Sequence, residues 1–262
     1  MTHPHRHRPV VRPAGLLATL VLLGATAAGG QSPSEPRYAN ERLTYEVSVS
    51  RFGTIGHGSM TAGGPVVVRG TPTWALRFEF EARVGPVRVV NRTESWFDAA
   101  GGAALRFHKH EKHPLSTHDE TVELFPATQR WEAADGTSGS SATSKPLDEL
   151  SYIYVLRSLP LLVDSTYTLN RHFDDARNPT VIRVVGRETI TTPAGSYGTL
   201  IVEMHVKDAR RYKGDGVLRF WLSDDGDRIP VRMESKMPMV GSAVLTLESR
   251  VRVVGNLAAR TP

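Results

Sequence analysis

Cysteine is missing from all 262 residues. That excludes disulfides, thiolate metal ligands, a cysteine nucleophile and the lipid-modified cysteine of a bacterial lipoprotein. Exported proteins often lack cysteine, so the absence does not fix the redox compartment. Long apolar runs are missing too. The longest uncharged apolar stretch, Ala14 to Gly24, has eleven residues, and at about 1.5 Å per residue it falls far short of a bilayer core of about 30 Å. No G-x-S-x-G elbow, H-E-x-x-H helix or phosphate-binding loop occurs, so the familiar hydrolase and nucleotide signatures are absent, although a Ser, His and Asp triad assembled in space has no such signature. No basic stripe interleaved with aromatics is found, which leaves nucleic-acid binding without support.

The first residues have a distinct character. Arg6, Arg8 and Arg12 precede the apolar run, and Ala25-Thr26-Ala27 follows it, the order of a secretory signal peptide. The expectation is a signal peptide over 1–27 with cleavage near Ala27, a mature chain beginning near Ala28 without a transmembrane span, and a periplasmic or otherwise exported location. Of the 32 basic residues three lie in this segment, and none of the 27 acidic ones do, so 29 stand against 27 and the mature net charge is +2 rather than +5. A polar lead-in over 28–40, one β-rich domain over 41–256 and a tail over 257–262 complete the expected organisation.

Period-two alternation dominates the domain. In "TWALRFEFEARV", Trp74, Leu76, Phe78, Phe80, Ala82 and Val84 share one face opposite Arg77, Glu79, Glu81 and Arg83, the pattern of a strand with one dry and one wet side. Leu200, Val202, Met204 and Val206 repeat it, as do Ala243, Leu245, Leu247, Val251 and Val253. Turn signals at Gly63-Gly64, Gly101-Gly102, Pro193-Ala194-Gly195, Gly214-Asp215-Gly216 and Asp225-Gly226 separate about a dozen strands, which implies antiparallel meanders.

One segment departs from this pattern. "SKPLDELSYIYVLRSLP" predicts a helix with Ser144 as N-cap, Pro146 near the first turn, Asp148 and Glu149 at the positive end of the dipole, and a stop at Pro160. Leu147, Leu150, Ile153 and Tyr154 give it an apolar stripe. The fold class is therefore all-β, an antiparallel barrel or curved half-barrel of about a dozen strands with one central helix as plug or lid.

An inward apolar face that side chains do not fill is a binding site for a greasy molecule. The candidate lining residues are Trp74, Phe78, Phe80, Leu150, Tyr154, Leu200, Met204, Phe220 and Leu245, the residues a plain core would also use. The histidine-rich run "FHKHEKH" supplies weak metal candidates: His108 and His110 share a face two residues apart, with His113 or His118 as a third ligand. That face is the wet one, because Leu105, Phe107 and Lys109 take the other, and Arg106, Lys109 and Lys112 repel a cation. The expectation is therefore no metal, no cofactor and no catalytic residue. Asp224, Asp225 and Asp227 lack EF-hand spacing, and the glycines of "RFGTIGHG" lack the helix of a dinucleotide loop. His57 and the pair Asp148 and Glu149 are the other polar residues to follow.

"LTYEVSVSRFGTIGHGSM", "DELSYIYVLRSLPL", "GRETITTPAGSYGTLIVEMHV" and "FWLSDDGDRIPVRMES", in that order, resemble the exported bacterial family called domain of unknown function 3108 across nearly the whole mature chain. The resemblance implies a periplasmic, mostly β protein without an assigned activity and brings no catalytic residues. The favoured reading is a non-enzymatic binder or carrier of a hydrophobic small molecule or lipid of the envelope. The alternative is a packed structural or assembly protein meeting an envelope protein through its surface; a zinc hydrolase using His108 and His110 ranks below both.

Overall fold

A computed structural model describes residues 35–85, 87–113, 116–208, 215–237 and 241–253. The expected signal peptide and the tail over 257–262 lie outside the described residues, as does most of the lead-in.

The chain first winds through β1 (Glu41–Val49), β2 (Gly53–Val68), β3 (Thr71–Val84), β4 (Val87–Asp98), β5 (Ala103–His113), β6 (Ser116–Phe125), β7 (Arg130–Ala133) and β8 (Ser138–Ser140). A short helix, α1 (Glu149–Leu156), then precedes β9 (Thr166–Leu169), β10 (Thr180–Thr192), β11 (Gly195–Lys207), β12 (Asp215–Ser223), β13 (Pro230–Met237) and β14 (Gly241–Arg252). All fourteen strands belong to one antiparallel sheet ordered β8-β7-β6-β5-β4-β3-β2-β1-β14-β13-β12-β11-β10-β9. Two meanders thus run outward from the central β1 and β14 pair, and α1 lies in the connection between their far ends.

The sheet is curved and unclosed. Strands β10 and β14 stand four places apart, yet bring Cα atoms within 8 Å of each other, where a flat sheet would hold them roughly 19 Å apart. Phe173, just past β9, meets Phe107 of β5 at 6.1 Å and Trp131 of β7 at 5.7 Å between ring centroids. Both wings therefore converge on the connector, and the half-barrel with one helix is the fold the alternation predicts.

The concave face carries the core. Leu43, Tyr45, Met60, Leu76, Phe107, Val122, Ile182, Val202, Phe220 and Leu247 are buried there around Leu150, Tyr154 and Leu156 of α1. Three sequence expectations need correction. Gly63-Gly64 is a bulge within β2, not a turn between strands, because the register with β3 shifts between Gly63 and Val66. A second bulge, between Thr44 and Tyr45 of β1, skips Glu248 and reverses the end of β14: Val251 is exposed at 51%, while Arg250 meets the buried Glu41. A third lets the register pass from Arg106 to Ala104, which takes Leu105 out of phase with Phe107. One extra residue inverts every later side chain, and a hydrophobicity pattern does not announce it.

The helix also starts later than predicted. Its N-cap is Asp148, whose carboxylate accepts from the Leu150 and Ser151 backbone N–H groups while Ser151 Oγ accepts from the Asp148 N–H, a reciprocal capping box. Ser144 lies upstream. Leu147, assigned to the helical stripe, instead bridges His172 in extended pairing. Leu150, Ser151, Tyr152, Tyr154 and Leu156 are all buried, so α1 is enclosed on most sides and plugs the half-barrel. Tyr154 Oη donates to the Thr61 carbonyl at 3.1 Å, which fixes the plug to β2.

Candidate functional site

Period-two geometry places Phe78 and Phe80 of β3 on the concave face, with ring centroids 6.0 Å apart. Across β4 their partners are Thr93 and Asn91; across β5 these meet Lys109 and Glu111; across β6 those meet Glu120 and His118. The inward surface thus changes from aromatic to charged within three strands. Phe78 and Phe80 are only half-buried, unlike Leu76 and Phe107 nearer the plug.

Gly56 and Gly58 of β2 adjoin these aromatics, opposite Ala82 and Phe80. A Cβ on Gly56 would lie 2.0 Å from the Glu81 carbonyl oxygen. Only glycine permits this approach of backbone to backbone.

The charged wall is tightly linked. Lys109 is 5% exposed; its Nζ lies 2.7 Å from Glu149 Oε2 on α1 and 3.5 Å from Glu111 Oε1. Asn91 Nδ2 donates to Glu111 Oε1 at 2.7 Å, and His118 Nε2 stands 3.2 Å from Glu120 Oε2. On the far side of Glu149, Arg177 reaches it at 2.9 Å and Asp208 at 3.2 Å. The helix N-terminus is therefore anchored to both wings through one ionic chain. Asp148 lies beside it: Ser95 Oγ donates to its Oδ2 at 2.6 Å, and burial pushes the carboxyl up to about 6 despite hydrogen bonds from Ser151, Ser95 and Leu150 that favour the charged form.

Seven of the predicted lining residues lie on the sheet and two, Leu150 and Tyr154, on α1, and by burial the nine divide into two groups. Leu150, Tyr154, Leu200, Met204 and Phe220 are buried in the plugged core, while Trp74, Phe78 and Leu245 pack against it and stay partly exposed; Phe80 joins them through Phe78. Hollows at the Arg69 and Phe125 turn and beside Pro36 and Arg252 lie outside this face. The candidate site is a wall of half-buried side chains on the inward face.

The pair of metal candidates stands elsewhere. His108 and His110 occupy the convex face, where His108 Nδ1 lies 3.1 Å from Glu94 Oε2, and Asp119 takes His110 Nδ1 at 2.8 Å and His108 Nε2 at 3.5 Å. Burial pushes the Glu94 carboxyl up, but His108 and Arg77 together hold it below its ordinary value. His118 faces inward, away from that pair, and the side chain of His113 lies outside the described residues. Among the described residues no group of three or more histidine and acidic side chains has metal-binding geometry. His57, on β2, pairs with Glu248 at 3.1 Å. Asp225 accepts from the Asp227 and Arg228 N–H groups, while Asp224 pairs with Arg187 and Arg228 and Asp227 with Arg250 and Arg252, so these three carboxylates close a turn and join strands.

In sequence Lys109 falls on the apolar side of β5, where it counts only as a cation that repels a metal. Its phase with Phe107 was the available signal for a charged inner wall. Glu111, Asn91 and Thr93 carried the same phase, and Glu120 and His118 needed the β6 register.

A family model described as protein of unknown function DUF3108 matches residues 44–248. Among solved structures, a Bacteroides fragilis protein described as exported and of YmcC-like fold aligns at 14% identity and a TM-score of 0.31, covering 82% of this chain and 97% of that one. A Parabacteroides distasonis protein described as a lipoprotein aligns at 11% identity and 0.32, with the same coverage of each chain. No curated protein matches.

Proposed function

This chain belongs to the protein family of unknown function DUF3108, and on that premise we propose that it binds an amphipathic molecule of the cell envelope on its concave face. The protein acts after export to the periplasm and signal-peptide removal near Ala27, as a single β-rich domain without catalysis. The observation that carries this reading is the half-buried pair Phe78 and Phe80 beside the inward charged wall of Lys109, Glu111, His118 and Glu120. A sheet that served only to enclose a core would continue its apolar alternation along these strands, and large apolar groups left accessible on a concave surface commonly mark binding faces. Plug α1 closes one end, so the molecule lies along the outer part of the strands.

A second reading is favoured by the helix itself, whose buried Leu150, Tyr154 and Leu156 fill the interior: a packed protein that meets an envelope partner through its surface. Mass spectrometry of protein purified from the periplasm separates the two. Binding predicts a native mass exceeding the denatured mass by that of a lipid-sized molecule. Equal masses, together with no uptake of added amphiphiles, would overturn binding in favour of the packed protein.

A further inference from the structure

Resting on that reading of the concave face, we infer that its ligand carries a zwitterionic head group, held by the inward cross-strand quartet Lys109, Glu111, His118 and Glu120. In the β5 and β6 ladder Lys109 lies directly opposite Glu120, and Glu111 directly opposite His118. Along each strand a nitrogen group alternates with a carboxylate as well, with Lys109 3.5 Å from Glu111 and His118 3.2 Å from Glu120. The four groups therefore form a checkerboard, with the Lys109 ammonium and the His118 imidazole on one diagonal and the two carboxylates on the other.

Such pairing is ordinary on the convex face, where water solvates both partners. Inward it carries a desolvation cost that apolar residues at the same positions would avoid. The side chains of Lys109 and Glu111 are 6% and 13% exposed, those of Glu120 and His118 23% and 43%, so the checkerboard runs from a buried to a wet end. A local pattern broken on the inner face of a sheet is where function is to be sought. Adjacent donors and carboxylates complement a head group that carries charges of both signs: an anionic oxygen toward the Lys109 ammonium and an imidazole N–H of His118, an ammonium toward Glu111 and Glu120. Asn91 and Thr93 flank the quartet, and beyond them Phe78 and Phe80 offer the apolar surface along which a tail continues. The polarity of the wall thus orients the molecule, head on β5 and β6 and tail toward β3 and β2.

Isothermal titration of the full mature chain with four single-chain probes of one length, below their micellar concentrations, tests this: dodecylphosphocholine, dodecyl sulfate, dodecyltrimethylammonium and dodecyl maltoside. The zwitterion is expected to bind about fivefold more tightly than each of the others, the factor that two modest ion pairs supply. In Glu111→Gln/Glu120→Gln that preference should vanish and dodecyl sulfate should gain. Should this variant fail to fold, the single Glu111→Gln and the wild-type ranking still decide. Equal binding of all four probes, or a ranking unmoved by the substitutions, would overturn the head-group inference while leaving the concave site intact. Failure of every probe to bind would remove the site itself.

Discussion

Arg157 Nη1 donates to Glu41 Oε2 at 2.6 Å, with the two side chains 0% and 2% exposed. This pair joins the C-terminal end of α1 to the start of β1, and the network extends through Arg250, 2.9 Å from the other Glu41 oxygen. The guanidinium also donates to the Asp227 carbonyl and lies 5.8 Å from the Tyr38 and Tyr154 ring centroids. Burial pushes both phenols up, and nearby Arg157 counteracts part of that rise. A charge so placed cannot lose its partner cheaply. Arg157→Met is expected to cost about 3 kcal/mol, the lower part of the range for stripping one member from a buried pair, because Arg250 still faces Glu41. Urea denaturation measures it; a cost under about 1 kcal/mol would show that the helix is held by apolar packing alone.

Asp148 makes stability depend on pH in an unusual direction. Its carboxyl is pushed from 3.8 to about 6 in the folded protein, so between these values the folded state holds a proton that the unfolded state has released. Lowering the pH through this window stabilises the fold, by up to roughly 3 kcal/mol for a shift of about two units. Other carboxylates oppose this: Glu94 and Glu203, for example, lie below their ordinary values. The clean readout is therefore a difference. Relative to Asp148→Asn, which stays neutral at every pH, the wild type should gain stability as pH falls from 7 to 4, measured by denaturation at each pH. A flat difference would mean that the capping hydrogen bonds fully offset burial.

The same elements show what could be read from sequence and what could not. The Trp74 to Ala82 alternation specifies a strand with one dry face, and β3 has that face. The order of family motifs matched the region that the family covers. What escaped were the places where one residue is skipped, since Glu248 and Leu105 look like ordinary members of their runs, yet the register passes over each. In sequence Asp148 presents only as a dipole complement, because its partner Ser95 is 53 positions away. Half the candidate site was visible as the aromatic phase of β3. The other half required knowing that β5 and β6 are neighbours whose pairing sets Lys109 against Glu120.

Replacing both His108 and His110 by alanine should change stability by no more than about 1 kcal/mol, as expected for partly exposed polar pairs on a convex face. Their carboxylates keep other company: Glu94 retains Arg77 at 2.6 Å, and the Asp119 side chain is 60% exposed. Native mass spectrometry of the double variant and the wild type should give the same metal content. A metal present in the wild type and lost from the variant would reverse the assignment of this pair to surface ion pairing.

Lys109 offers the sharpest test of why charge stands on the inner wall. Substituting methionine keeps the stem but removes the ammonium, leaving Glu149 with Arg177 at 2.9 Å and Glu111 with Asn91 at 2.7 Å. Neither carboxylate is orphaned, so Lys109→Met is expected to cost about 1–2 kcal/mol rather than the larger penalty of an uncompensated buried charge. Lys109→Met/Glu111→Leu removes opposite charges together and continues the apolar surface of Phe107 along β5. If the fold were the only reason for these residues, the double variant would be the least stable of the set. The expectation is the reverse: it recovers wild-type stability or exceeds it in urea denaturation, since apolar replacement of a desolvated pair is commonly neutral or stabilising. A double variant several kcal/mol below wild type would make the pair a structural clamp between β5 and α1. Recovery would mean that the wall keeps its charges at a cost to stability, which a binding surface explains and a core does not.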